Sequence, residues 1–211
     1  MKSRQRILAC GLFAIFAGAC GGGGDDGSGD GPDVETGLPA GDALSELSNA
    51  DTVQICEKTA SALNNLLPRA DLERIACAGG AVSEIVEDKG DQVSSKDIPM
   101  CKELSDECLK SDEIKNANVT LDIADETECK GATTKAVFGD CDATVADYES
   151  CVGKIASELR TRFKSLTCDV LAHIDTLDET LNGKIDVSNA AECKALRTKC
   201  PDVDLSLEAA E

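Results

Sequence analysis

Twelve cysteines in 211 residues, ten of them between Cys56 and Cys200, constrain this chain more than any other feature. The ten are Cys56, Cys77, Cys101, Cys108, Cys129, Cys141, Cys151, Cys168, Cys193 and Cys200. No two are spaced C-x-x-C, so the common zinc and redox motifs are missing. An even set at irregular spacing reads instead as a disulfide framework, which persists only in an oxidising compartment. Helix geometry prunes the pairings. Residues seven apart in a helix lie ~10.5 Å apart along the axis, whereas a disulfide needs Cα atoms within ~7 Å. Cys101 should therefore not pair with Cys108, nor Cys193 with Cys200.

The segments between the cysteines have a helical period. Val145, Tyr148, Val152, Ile155, Leu159, Phe163, Leu166, Val170, Ile174, Leu177 and Leu181 step by three or four, one apolar helical stripe. Thr144 followed by Asp147 has the form of a capping box, and Asn182-Gly183 is a stop signal. Together they predict a helix, straight or broken once, from about 144 to 182. Cys168 falls nearly opposite the stripe, so it faces a different neighbour or marks the break. Earlier in the chain Val53, Cys56, Ala60, Leu63 and Leu67 form one stripe, and Leu72, Ile75, Gly79, Val82 and Val86 another. Pro68 lies between them, where it suits the start of a second helix. Shorter helices are expected at about 98–110 and 189–200, the latter stopped by Pro201.

Two of these regions look alike. "CKELSDEC", from Cys101 to Cys108, and "CKALRTKC", from Cys193 to Cys200, share C-K-x-L-x-x-x-C. "EKTASAL" follows Cys56 as "GKIASEL" nearly follows Cys151. The expectation is an all-α, disulfide-stapled bundle of two degenerate repeats, 42–135 and 136–205, with an acidic tail at 206–211. Each repeat would hold a long helix or helix pair plus a short Cys-x6-Cys helix. Cys56 and Cys77 would pair with Cys101 and Cys108, and Cys151 and Cys168 with Cys193 and Cys200, in some order. A split near 135 leaves five cysteines on each side. Five is odd, so full oxidation forces at least one bridge across the split, and Cys129 with Cys141 is the simplest choice.

The amino terminus supplies a destination. "MKSRQRILACGLFAIFAGA" has Lys2, Arg4 and Arg6, then an apolar run from Ile7 to Phe16, then small residues. That is the pattern of an export signal, 1–19, too short to span a bilayer. Cys20 follows at once, so "AGAC" resembles the signal of bacterial lipoproteins. The resemblance covers about a tenth of the chain. It implies that Cys20 is acylated and becomes the new amino terminus, and Gly21 after it implies the outer membrane. Cys10 would leave with the signal and Cys20 would carry lipid, leaving the even ten. The Gly/Asp-rich stretch from Gly21 to about Gly41 cannot repay its ordering entropy, so 20–41 reads as the lipidated cysteine and a flexible tether.

Charge excludes one class of partner. All 40 acids follow Cys20 and three of the 21 bases precede it, which leaves 18 bases and a net charge of −22. Such a chain does not bind nucleic acid phosphates, and its membrane contact must come from the lipid anchor rather than a basic face. Only three aromatic residues follow Cys20, namely Phe138, Tyr148 and Phe163, so the core must be aliphatic and lean on its disulfides.

Candidate chemistry is sparse. His173 is the only histidine, with Asp169 four residues before it and no Ser or Cys at helical spacing to activate. Asp26, Ser28, Asp30 and Gly31 match the opening of a calcium loop, but Gly37 stands where a bidentate Glu is required. No cofactor motif is present, and no catalytic or metal-ligating set stands out. The cysteine order fits neither saposins nor plant lipid-transfer proteins. In architecture the chain looks like a Cys-rich lipoprotein of bacterial envelopes, a resemblance that gives no activity. The leading expectation is a non-catalytic envelope or surface protein that binds or displays an unidentified protein or small-ligand partner through its helical faces. The alternatives are a small periplasmic hydrolase using Asp/Glu with His173, and a helical lipid or small-ligand carrier. A polar cleft containing His173 would favour the hydrolase, and an apolar cavity the carrier.

Overall fold

A computed structural model describes residues 34–121, 123–124, 127–173, 185–187, 189–201 and 206–207. The fold is all-α. Among the described residues the helices, in chain order, are α1 (Asn49–Asn64), α2 (Arg69–Lys89), α3 (Ile98–Lys110), α4 (Asp112–Asn116), α5 (Thr134–Val137), α6 (Val145–Lys164) and α7 (Lys194–Lys199). Short 3-10 turns lie between them, among them Ser95–Asp97, Glu128–Gly131 and Cys168–His173. Two two-residue strands, β1 (Ile185–Asp186) and β2 (Ser206–Leu207), pair antiparallel, so the expected tail at 206–211 begins within a ladder.

Local punctuation accounts for the helix ends. Ser48 and Thr144 open α1 and α6 through capping boxes with Asp51 and Asp147, each side chain accepting from the other's backbone N–H. Pro68 is the N-cap of α2, and Leu66 and Leu67 in the intervening turn are buried. The helix pair expected around Pro68 is therefore present, and α3 occupies the expected 98–110. The last helix is shorter than expected, six residues from Lys194, with the turn before it carrying Cys193.

The long helix expected from 144 ends at Lys164, and the chain resumes as a 3-10 turn at Cys168. The Asp169 N–H donates to the Thr167 hydroxyl at 3.3 Å, a local bond that competes with helix continuation. This break turns Cys168 away from the α6 stripe toward Cys101 of α3. The remainder of the expected helix, including Asn182-Gly183, lies outside the described residues.

Five disulfides join all ten cysteines: Cys56–Cys129, Cys77–Cys108, Cys101–Cys168, Cys141–Cys200 and Cys151–Cys193. Two of them fall within the expected sets, Cys77–Cys108 and Cys151–Cys193. The expectation that Cys129 pairs with Cys141 is corrected, because Cys129 bonds to α1 and Cys141 to the residue after α7. One bridge does cross the split near 135, and it is Cys101–Cys168. No bridge in one half has its counterpart in the other under the offset that aligns the two Cys-x6-Cys motifs. The halves interlock as well, since α5 runs across the proposed boundary at 135/136 and the Leu44 N–H donates to the Ala143 carbonyl at 2.8 Å.

The core is aliphatic. Its main cluster gathers Leu44, Ile55, Leu63, Leu72, Ile75, Val145, Ile155, Leu159 and Leu196, with Phe138 the only buried aromatic residue among those described. A second, smaller cluster places Ala81, Val82 and Ile85 of α2 against Cys101, Cys168 and Leu171. On α1 the deepest positions are Thr52, Ile55, Ala60 and Leu63, so the buried face is rotated from the stripe through Val53 and Cys56. Thr52 is buried because its hydroxyl bonds to that of Thr134 at 2.9 Å, which lets a polar side chain take a core position.

Residues 34–41, expected within the tether, pack against the helical body. Val34 is buried, Thr36 is fully so, and the segment from there to Leu47 forms a strap over α6. The Thr36 N–H and hydroxyl both donate to Glu149 Oε1, at 2.7 and 2.8 Å, and Gln54 Nε2 donates to the Thr36 carbonyl. A helix start leaves backbone N–H groups without partners. Here the Val145 and Ala146 N–H groups donate to the Asp42 and Ala40 carbonyls, at 2.9 and 3.0 Å. Long-range caps of this kind leave no trace in composition, so the reading of 34–41 as tether is corrected.

Asp147 joins the start of α6 to α7. Its Oδ2 accepts from Lys199 Nζ at 2.8 Å and from the Thr144 N–H at 3.0 Å. The Lys199 ammonium, and after it the Thr144 N–H, holds the carboxyl below its ordinary value of 3.8. A carboxyl depressed by folding contributes stability that is present above the unfolded value and lost as the pH falls. Asp147→Ala should therefore lower stability by about 1 kcal/mol at neutral pH. The gap between variant and parent should close as the pH drops well below 3.8. Thermal melts of both proteins across the acid range test this, and a gap that does not change with pH would refute it.

Candidate functional site

One face of α1 forms the floor of a half-open cleft of about 370 Å³. Thr52, Ile55, Cys56, Thr59 and Ala60 line it, positions that helical periodicity brings onto one side. The segment around Ile123 and Ala124 forms one wall. Asn64 at the end of α1 holds it there, its Oδ1 accepting from the Ile123 and Ala124 N–H groups at 2.9 and 3.1 Å while its Nδ2 donates to the Ala124 carbonyl at 2.9 Å. The Cys56–Cys129 disulfide clamps the same wall covalently.

The opposite wall is aromatic. Phe138, just after α5, meets Tyr148 of α6 edge to face, with ring centroids 5.9 Å apart and planes at 85°. Gly139 follows at φ +56°, a conformation that turns the chain away after the ring. Tyr148 shares a 3.0 Å hydrogen bond with the Thr59 hydroxyl across the cleft. Burial pushes its phenol above the ordinary value of 10.0, against the opposing pull of Thr59. Val137 stands at the mouth and is 43% exposed; it and Met100 are the only large apolar side chains exposed among the described residues.

Among its described lining residues the cleft thus offers apolar surface, two hydroxyls in a bonded pair, and no charged side chain. Among the described lining residues Tyr148 is the only titratable one, and it is kept protonated at neutral pH. His173 does not line it. That histidine is exposed at the end of the Cys168–His173 turn, and the Asp169 carboxylate pairs with Lys102 Nζ at 3.0 Å. The 3-10 turn repeats every three residues rather than 3.6, so the four-residue spacing of Asp169 and His173 does not stack them as it would in an α-helix.

The other sequence candidates divide by location. The ten paired cysteines act as staples, and Cys56 and Cys129 also line the cleft. Cys20, Asp26, Ser28 and Asp30 lie outside the described residues. Gly37, which stood where a calcium loop needs Glu, takes φ +76° against Gln54 and begins the turn of the strap. Among the described residues no group of three His, Cys, Asp or Glu side chains converges as a metal site. None of their helices is long and apolar enough to cross a membrane. Sequence reasoning missed the cleft. Its only advance signals were Thr52 and Thr59, seven residues apart on one helix, and the nearness in sequence of Phe138 and Tyr148. The chain matches no protein-family model, no curated protein and no solved structure.

Proposed function

We propose that this chain is an exported lipoprotein of the bacterial cell envelope, acylated at Cys20, that holds a non-catalytic binding body at the outer membrane. The observation that carries the exported half of this reading is the five-bridge framework, which needs an oxidising compartment to form and persist. The basic, apolar and small-residue order of "MKSRQRILACGLFAIFAGAC" supports acylation. Residues 21–33, rich in Gly and Asp, then link the acylated cysteine to the body. The −22 charge of the mature chain disfavours adsorption of the body onto anionic headgroups, so attachment rests on the acyl chains. A binding role is supported by the cleft, whose described lining residues offer hydroxyls and apolar groups.

Expression of the full chain in a bacterial host fed an alkyne-bearing fatty acid tests the anchor. The protein should take up the label and sediment with outer membranes, and Cys20→Ser should lose both properties. A mature protein whose mass shows Cys20 unmodified would overturn the proposal.

A further inference from the structure

We infer that the cleft over α1 is a binding site for a small, uncharged, largely apolar molecule that carries a single hydrogen-bond acceptor such as a ketone. Its volume of about 370 Å³ falls within the ~300–1,000 Å³ of small-molecule sites. Aromatic surface is the scarcest resource of this chain, yet two of the three aromatic residues after Cys20 stand together on one wall of this cleft. Val137 adds exposed apolar surface at the entrance.

Proton accounting selects the polar end of the ligand. Thr59 and Tyr148 bring two hydroxyl protons, and their mutual hydrogen bond uses one, whichever oxygen donates. The other proton remains for an acceptor in the cleft. Thr52 is different: Thr134 donates to the Leu47 carbonyl, and the Thr52 hydroxyl is met by Thr134 and the Ser48 carbonyl. Among its described side chains the cleft therefore presents one open donor. Charge selects the rest: among the described lining residues none is charged, and the net negative chain repels anions. Binding of this kind needs neither the signal nor the acyl chain, so it stands or falls separately from the anchoring proposal.

The probe is prodan, a neutral naphthyl ketone whose emission moves to the blue in apolar surroundings, titrated against the full-length purified protein. It should bind saturably, one per chain, with blue-shifted emission. Dimethylaminonaphthalene, which lacks the ketone, should bind about five- to ten-fold more weakly, the usual worth of one net hydrogen bond. Thr59→Val and Tyr148→Phe each leave one hydroxyl, so only the double variant should erase the preference for the ketone. Val137→Asp, at an exposed position that does not endanger folding, should weaken prodan about ten-fold by placing a charge at an apolar mouth. Absence of saturable binding, or binding indifferent to Val137→Asp, would overturn the site. Equal binding of the two naphthalenes to the parent protein would overturn the assignment of the donor, and needs no variant to be read.

Discussion

In excess dithiothreitol at about 37 °C the helical circular dichroism of this protein is expected to collapse, with loss of a cooperative thermal transition. Each disulfide contributes roughly 2–4 kcal/mol by restricting the unfolded chain, so five together contribute on the order of 10–20 kcal/mol. The net stability of a domain is only about 5–15 kcal/mol. Removal of all five therefore consumes the whole margin. The core has little with which to compensate, since Phe138 is its one buried aromatic side chain among the described residues. Cysteine itself occupies much of the interior: Cys77, Cys101, Cys129, Cys141, Cys151, Cys168, Cys193 and Cys200 are all buried. A reduced protein that kept its far-ultraviolet spectrum and a sharp melt would show that the aliphatic packing suffices alone.

The second large effect concerns one bridge. Replacing Cys101 and Cys168 together by Ala should cost about 4 kcal/mol, the chain-entropy value for a loop of this length. The bridge spans 67 positions and is the only one that joins the residues before 135 to those after it. Both cysteines are buried, at 0% and 4% exposure, in the small cluster with Ile85 and Leu171. That cluster is what seats the Cys168–His173 turn on α2, α3 and the Ser95–Asp97 turn. The loss should therefore be local as well as global, with amide exchange accelerating first at 168–173. Removing Cys77–Cys108 instead, which spans only 31 positions within one half, should leave that turn protected. Equal acceleration at 168–173 in both variants would refute the assignment of this bridge as the fastener of the turn.

Asp97 illustrates how the small cluster is closed at its edge. It is buried, and its carboxylate accepts from Lys89 Nζ at the end of α2 and from the Ser94 N–H. The Lys89 ammonium, followed by that N–H, holds the carboxyl below its ordinary range. A buried carboxylate paired in this way is tolerated because its charge is met on two sides. The same motif, an acid at the third position of a turn answering its own cap, opens α1 and α6.

Much of the secondary structure was legible in the residues because its causes are local. Pro68 cannot continue a helix, Thr144 and Asp147 can satisfy the first N–H groups of one, and the three-four step of Val152, Ile155 and Leu159 needs only its own backbone to form a face. Cysteine parity was legible too, since counting requires no geometry, and it required a bridge across residue 135. The identity of that bridge was not. Cys168 stood out as misplaced on its helical wheel, but its partner depended on where α6 broke and on which side of α2 the chain then passed.

The strap and the cleft were illegible for the same reason. Thr36 looks like a tether residue until Glu149, 113 positions away, accepts both of its protons. Thr59 looks like a surface residue of an amphipathic helix until Tyr148 arrives from α6. Propensity, caps and periodicity act over a few residues along the chain, and these told the helices, their starts and the aliphatic character of the interior. Partner choice among ten equivalent thiols, and the enclosure of a space by three elements far apart in sequence, depend on distances of a few ångströms between segments. Those distances exist only once the helices have packed.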